Sequence, residues 1–358
     1  MALNEQKLQE QFSLRKVLLP MLLGLGIVAY MLYRNYEPAQ LQILRQASPL
    51  WLAITLLVLF IRDFGYVYRI RSVTDQALSW RQSFSVIMLW EFASCALPSV
   101  VGGSTVAAFM LMKERIPLGK SIAQVMVTAM LDNLYFVVSV PVVLVMVGHR
   151  VVPAADAVGE AIQAGLTTAF AVSYLLVTVY AFLMAYALLL NPRAVKRLLL
   201  RLSRSGWLRR WRLILFNQAN ELLIASQHLR RKGAGYWWRA GISTAFVWTA
   251  RYAIIGCLIA AFTHLDLQEH ILLFSRNLIY KIVLMMSVTP GAAGVAEIAF
   301  PAFFGMFLGG FTTIIVLLYR LLTYYLYLLM GALVFPRWAS RVFSQSRTKA
   351  DQAVVPVD

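Results

Sequence analysis

Six charged side chains sit inside apolar stretches of this chain: Glu91, Asp132, Arg251, Lys281, Glu297 and Arg320. Holding a carboxylate or guanidinium mid-span in a bilayer costs at least ~2.5–3.5 kcal/mol, so such groups turn toward a bundle interior or a wet cavity. One or two would serve as structural ion pairs. Six of both signs fit a polar cavity for a zwitterionic or phosphate-bearing group, with carboxylates that also carry protons. Arg62, Asp63 and Arg276 read as lying nearer the span ends.

Two helix breaks accompany these charges. The first reads ALPSVVGGSTVAAF (96–109), the second VTPGAAGVAEIAF (288–300). Pro98 and Pro290 each remove a backbone donor and obstruct the preceding turn. Gly102, Gly103, Gly291 and Gly294 permit a turn and a close helix approach. Irregular backbone survives in hydrocarbon only where it is buried in protein or lines a cavity. A half-helix beginning there aims its N–H groups at an anion such as a lipid phosphate, with Ser104 and Thr105 as cap or donor. Ordinary kinks packed against neighbours are the competing account.

The breaks belong to similar units. Each follows an apolar span with a charge deep inside it (Glu91, Lys281), and each precedes a long span with one charge (Asp132, Arg320). Transporters are often built from two such halves, and paired Gly/Pro-interrupted segments mark their sites. An internal two-fold repeat is one reading; chance recurrence of Pro-Gly-Ala stretches is the other.

Composition sets the class. The chain is 60% hydrophobic and 14% charged, against about one-quarter charged in an average soluble domain. Mean hydropathy is +0.69. The expected fold is all-α and polytopic, with about eight transmembrane helices and two short re-entrant-like segments. The spans are drawn at 17–33, 49–70, 82–98, 121–147, 166–190, 241–263, 271–289 and 311–335, with the broken pieces at 99–112 and 291–308. Residues 1–340 form one membrane domain, and 341–358 a disordered cytoplasmic tail. Cys95 and Cys257 lie in apolar runs and read as small packing residues.

The net charge of +17 is concentrated. Between Asn191 and Ala240 there are twelve Lys or Arg against one acid, Glu221. Such a block marks the cytoplasmic side and attracts anionic headgroups rather than nucleic acid. Its alternation of basic and Leu/Trp clusters suits an interfacial amphipathic helix; a pure topology determinant is the alternative. In an inner (plasma) membrane the N-terminus and this basic segment then both face the cytoplasm, provided that 82–112 enters and returns without crossing. The C-terminal tail joins them if 291–308 crosses or 271–308 forms a broken unit.

The stretches WEFASCALPSVVGGSTVAAFMLMKERIPLGKSIAQVMVTAMLDNLYF (90–136) and RNLIYKIVLMMSVTPGAAGVAEIAF (276–300) resemble the lysylphosphatidylglycerol synthase transmembrane-domain family, described as flippase-like. Pro98, Gly102 and Gly103 match its first motif, Asp132 the acid after it, and Pro290, Gly291, Gly294 and Glu297 the second. Arg320 matches a recurring arginine of the last span. The second motif departs from many relatives in having alanine where they have a further glycine. In two-domain members the membrane region is thought to move aminoacylated phosphatidylglycerol between leaflets, and a soluble domain attaches the amino acid. The resemblance here implies the translocating half.

The leading expectation is therefore a translocator of an anionic or zwitterionic phospholipid, or of a lipid-linked substrate. Half-helix N-termini and Arg251, Lys281 or Arg320 would hold phosphate; Glu91, Asp132 and Glu297 would hold an amine or a coupling proton, and Arg276 is counted among the residues of the translocation path. No cofactor, metal site or nucleotide loop is expected, and assembly into homo-oligomers stays open. A polyprenyl-phosphate-dependent transferase and a non-catalytic assembly factor are the alternatives.

Overall fold

The first described helix is inside-out by the standard of a water-soluble protein. In α1 (Pro49–Val73) the buried face carries Thr55, Arg62, Tyr66 and Arg69, while Leu50, Leu56, Leu57, Phe60 and Phe64 are exposed. Exposed apolar and buried charged surface is the arrangement a hydrocarbon solvent selects. The computed structural model describes residues 46–96, 103–202, 212–285, 292, 295–308 and 311–352. Among them there is no strand, and five helical stretches are long and apolar enough to cross a membrane. The chain is an all-α, polytopic membrane protein.

After α1 come α2 (Trp80–Ala96), α3 (Gly103–Lys113), α4 (Leu118–Val147) and α5 (Glu160–Ala185), which ends in a π turn, Tyr186–Leu190. Two helices follow in the basic segment, α6 (Pro192–Leu202) and α7 (Arg212–Leu229). Then come α8 (Ala234–Ala260), α9 (Leu267–Leu284), α10 (Val295–Phe304), α11 (Thr312–Arg320) and, after a π turn at Leu321–Tyr325, α12 (Leu326–Gln352). Local chemistry sets several boundaries. Pro49 opens α1, where its missing N–H costs nothing. Asp266 and Glu269 form a reciprocal capping box at the start of α9. Inside α4, Pro141 cannot donate to the carbonyl of Val137, and the Tyr174 hydroxyl of α5 donates to it instead (3.1 Å).

Two sets of contacts define the two faces of the bundle. At one face Asp75, just past α1, pairs with Lys120 (3.4 Å) at the start of α4 and with Lys232 before α8. At the opposite face the Ser48 N–H, before α1, donates to the Ala261 carbonyl after α8 (2.7 Å). Helices α1 and α8 are therefore antiparallel.

The broken units return to the face they left. Gln82 at the start of α2 donates to Glu114, just past α3 (2.7 Å), so α2 and α3 form a hairpin opening to the lysine face. In the second unit the Tyr280 hydroxyl donates to the Ala296 carbonyl (2.8 Å), and Arg276, one turn earlier, donates to the Phe303 carbonyl (2.8 Å). Later residues of α9 thus meet earlier residues of α10, so this pair is antiparallel too. Arg276 also donates to the Arg150 carbonyl (3.0 Å), beyond the far end of α4. This second hairpin opens to the opposite face. The two units are inverted with respect to each other, as in inverted-repeat transporters.

The expected return of 82–112 without crossing matches the first hairpin. The expected span at 17–33 lies outside the described residues. The last helix runs on to Gln352, through part of the segment read as a tail. Its Arg341 and Trp338 (2.9 Å) both donate to Glu114, which brings α12 back to the lysine face.

Candidate functional site

Arg62, Tyr66 and Arg69 recur at i, i+4 and i+7, so they share one face of α1. That face organises a ladder of ion pairs running inward from the Asp75 cluster. Arg69 pairs with Asp132 of α4, whose carboxylate also accepts from the Trp248 indole (2.7 Å). Next, Arg251 of α8 pairs with Glu91 of α2 (3.1 Å) and donates to the Tyr66 hydroxyl (3.0 Å). Deeper still, Arg62 pairs with Asp63 (2.5 Å), whose carboxylate accepts from Tyr327 of α12 (2.8 Å). Gly65 allows the close packing this requires: a Cβ there would stand 2.7 Å from Val247 of α8.

Expectation and structure differ on one point here. Arg62 and Asp63 were placed near a span end, but α1 begins at Pro49 and continues to Val73, so both lie near its middle. Arg62 is 0% exposed; its Nε and Nη2 donate to Asp63 and Tyr327, which offsets much of the cost of its depth.

At mid-bundle the inner arms of the two hairpins converge. Glu91 stands five residues before the end of α2, and Lys281 three before the end of α9. Both lie close enough to Arg251 to interact electrostatically, and the charges of Glu91, Arg251, Lys281 and Arg320 all reach Cys95. These four charged residues come from α2, α8, α9 and α11. Each keeps part of its surface accessible although the helices around them are packed. Tyr66, Tyr252 and Tyr319 surround the group. The arrangement can hold a polar or ionic group at the depth where the hairpins meet.

The other expected residues divide into three sets. Asp132 is half-buried but committed to Arg69 and Trp248, nearer the lysine face. Arg276 stands apart at the far end of α9, bonded to the Arg150 and Phe303 carbonyls. Gly103 and Ser104 open α3, and Glu297 lies within α10; the side chains of Ser104 and Glu297 are outside the described set. Pro98, Gly102, Pro290, Gly291 and Gly294 lie outside the described residues. Sequence reasoning missed Arg69, Tyr66 and Trp248. The 62/66/69 spacing on one face of an apolar helix was the available signal for the first two.

Outside the membrane helices, Asp75 forms a separate cluster. Burial alone would raise its carboxyl pKa. The hydrogen bond and charge of Lys232, joined by Lys120, outweigh that and hold it below the ordinary carboxylate range.

Residues 17–331 match the family described as Lysylphosphatidylglycerol synthase TM region. A UPF0104 membrane protein of Archaeoglobus fulgidus is 24% identical over 305 residues, covering 79% of this chain and 85% of that protein.

Proposed function

We propose that this chain, which belongs to the Lysylphosphatidylglycerol synthase TM region family, moves a phospholipid headgroup across the membrane through the polar cluster at Glu91, Arg251, Lys281 and Arg320. The family is a membrane domain associated with flippase-like function. The observation that carries the reading is the pair of hairpins opening to opposite faces, with their inner arms meeting at that cluster. A headgroup entering beside one hairpin exchanges its hydration for the cluster's charges, while its acyl chains stay in the lipid. Departure beside the other hairpin completes the transfer. Alternating exposure of one central site by two inverted units is the transporter logic that such a repeat supports.

The lysine face is the cytoplasmic one in this reading, in an inner (plasma) membrane, because α6, α7 and their flanking residues supply the basic segment. Arg193, Arg197 and Arg201 of α6 are exposed beside exposed Leu198, which suits contact with anionic headgroups at the membrane surface.

The test is transfer of acyl-chain-labelled fluorescent phospholipids in proteoliposomes, read as dithionite-accessible signal. Wild type should raise transfer above protein-free vesicles. Arg251→Gln, recovered in folded form, should lower it toward that baseline. Equal signal in protein-free, wild-type and variant vesicles for every phospholipid tried would refute translocation.

A further inference from the structure

The ladder leaves one cation unbalanced. On the described membrane helices the carboxylates Asp63, Glu91 and Asp132 each hold an arginine: Arg62, Arg251 and Arg69. Lys281 has no hydrogen bond or ion pair among the described residues; Arg251, Glu91, Cys95 and Arg320 lie within electrostatic range of it. The sum of charges agrees whichever way Glu297 points. Five deep cations (Arg62, Arg69, Arg251, Lys281, Arg320) face four deep acids (Asp63, Glu91, Asp132, Glu297), which leaves 5 − 4 = +1. Arg276 keeps its charge but stands apart from this group, at the far end of α9, where it donates to the Arg150 and Phe303 carbonyls.

Packing places that surplus where a ligand can reach it. From Ser275 to Leu284 every residue of α9 is buried except Lys281. Lys281 is therefore the one residue of this stretch that keeps appreciable accessible surface. Glu91, Arg251 and Arg320, each with a minor part of its surface accessible, border the same group. An unpaired ammonium in a mostly dry site is costly until an anion neutralises it.

Resting on the translocation reading above, we propose that the site selects a phospholipid whose headgroup carries net negative charge, with Lys281 taking its phosphate. Arg251 and Glu91 already neutralise each other, so they orient the headgroup by hydrogen bonding rather than by net charge. A zwitterionic lipid brings its own ammonium, which meets Lys281 and Arg251 unfavourably. The amine-binding role expected for Glu91 is accordingly replaced by its pairing with Arg251.

The experiment compares acyl-chain-labelled phosphatidylglycerol and phosphatidylcholine in proteoliposomes of wild type, Lys281→Gln and Lys281→Arg. Co-purified and added lipid retained in detergent is measured by native mass spectrometry. Variants are matched for monodispersity and thermal unfolding. Wild type should favour phosphatidylglycerol in transfer and in retention. Lys281→Gln should cut that preference by about tenfold, the effect of losing one favourable charge contact, and Lys281→Arg should restore most of it. If wild type moves both lipids equally, translocation stands and the selection by Lys281 is overturned. If neither lipid moves but Lys281→Gln loses retained phosphatidylglycerol, the ligand assignment stands and translocation falls. Unchanged preference in Lys281→Gln in both measurements refutes the role of Lys281.

Discussion

The two hairpins share a shape and differ in how their charges are answered. In the first, Glu91 is held by Arg251, and the hairpin's mouth is closed by Glu114, which accepts from Gln82, Trp338 and Arg341. In the second, Lys281 has no such carboxylate among the described residues, and the hairpin is fastened by hydrogen bonds from Tyr280 and Arg276 to backbone carbonyls rather than to a carboxylate. Symmetry of fold therefore does not carry symmetry of charge. One hairpin contributes a neutralised scaffold, the other a charge left for a ligand.

The largest expected effect separates the two directly. Glu91→Gln strands the Arg251 guanidinium and should cost about 2–3 kcal/mol, near the lower end for breaking a buried pair because both groups keep some accessibility. Lys281→Gln breaks no hydrogen bond or ion pair among the described residues and removes a charge that burial makes costly, so it should leave stability unchanged or raise it slightly. Thermal unfolding in detergent distinguishes them, and equal losses would erase the comparison.

Packing of the first hairpin supplies the next test. A Cβ on Gly331 of α12 would stand 2.1 Å from the ring of Phe92 and 2.4 Å from its Cβ. Neither ring base nor helix can retreat easily. Gly331→Leu should destabilise by about 1–3 kcal/mol through overpacking, and it should loosen α2 rather than α9 in hydrogen exchange. For the second hairpin, Tyr280→Phe deletes the donor to the Ala296 carbonyl and should cost about 1 kcal/mol. Faster exchange in α10, with α3 unchanged, would mark the effect as local.

The smallest effect concerns the lysine face. Asp75 titrates lower in the fold than in the unfolded chain, so its stabilisation is complete above about pH 4 and lost as pH falls through the folded value. Asp75→Asn should be slightly less stable than wild type at pH 7, and the gap should close in acid. Screening at this exposed pair keeps the difference small, and a gap that widens in acid would contradict the pairing.

Much of this was legible in sequence. Apolar runs, the basic 191–240 segment and the Pro/Gly breaks fix the class, and placing the basic segment on the same side as Arg15 and Lys16 carried the proviso that 82–112 enters and returns. The return of the second unit was not legible. Proline and glycine say that a helix stops, not whether the next one reverses; Arg276 and Tyr280 reaching α10 decide that. Nor was the pairing of Glu91 with Arg251, because 160 positions separate them and only the helix arrangement makes them neighbours. Sequence grouped Asp132 with the central charges, since depth along a span is readable but the face of the helix and its partner are not.

The central claim is that the two hairpins open to opposite faces. Sided labelling with a membrane-impermeant thiol reagent tests it, in a background with Cys95 and Cys257 replaced by alanine. Single substitutions Ser79→Cys and Arg115→Cys flank the first hairpin, and Leu267→Cys and Met306→Cys flank the second; all four positions are exposed. The expected result is labelling of positions 79 and 115 from the cytoplasmic side only and of positions 267 and 306 from the other side only. Labelling of positions 79 and 115 from opposite sides, or of position 306 from the same side as 115, would contradict the inverted arrangement.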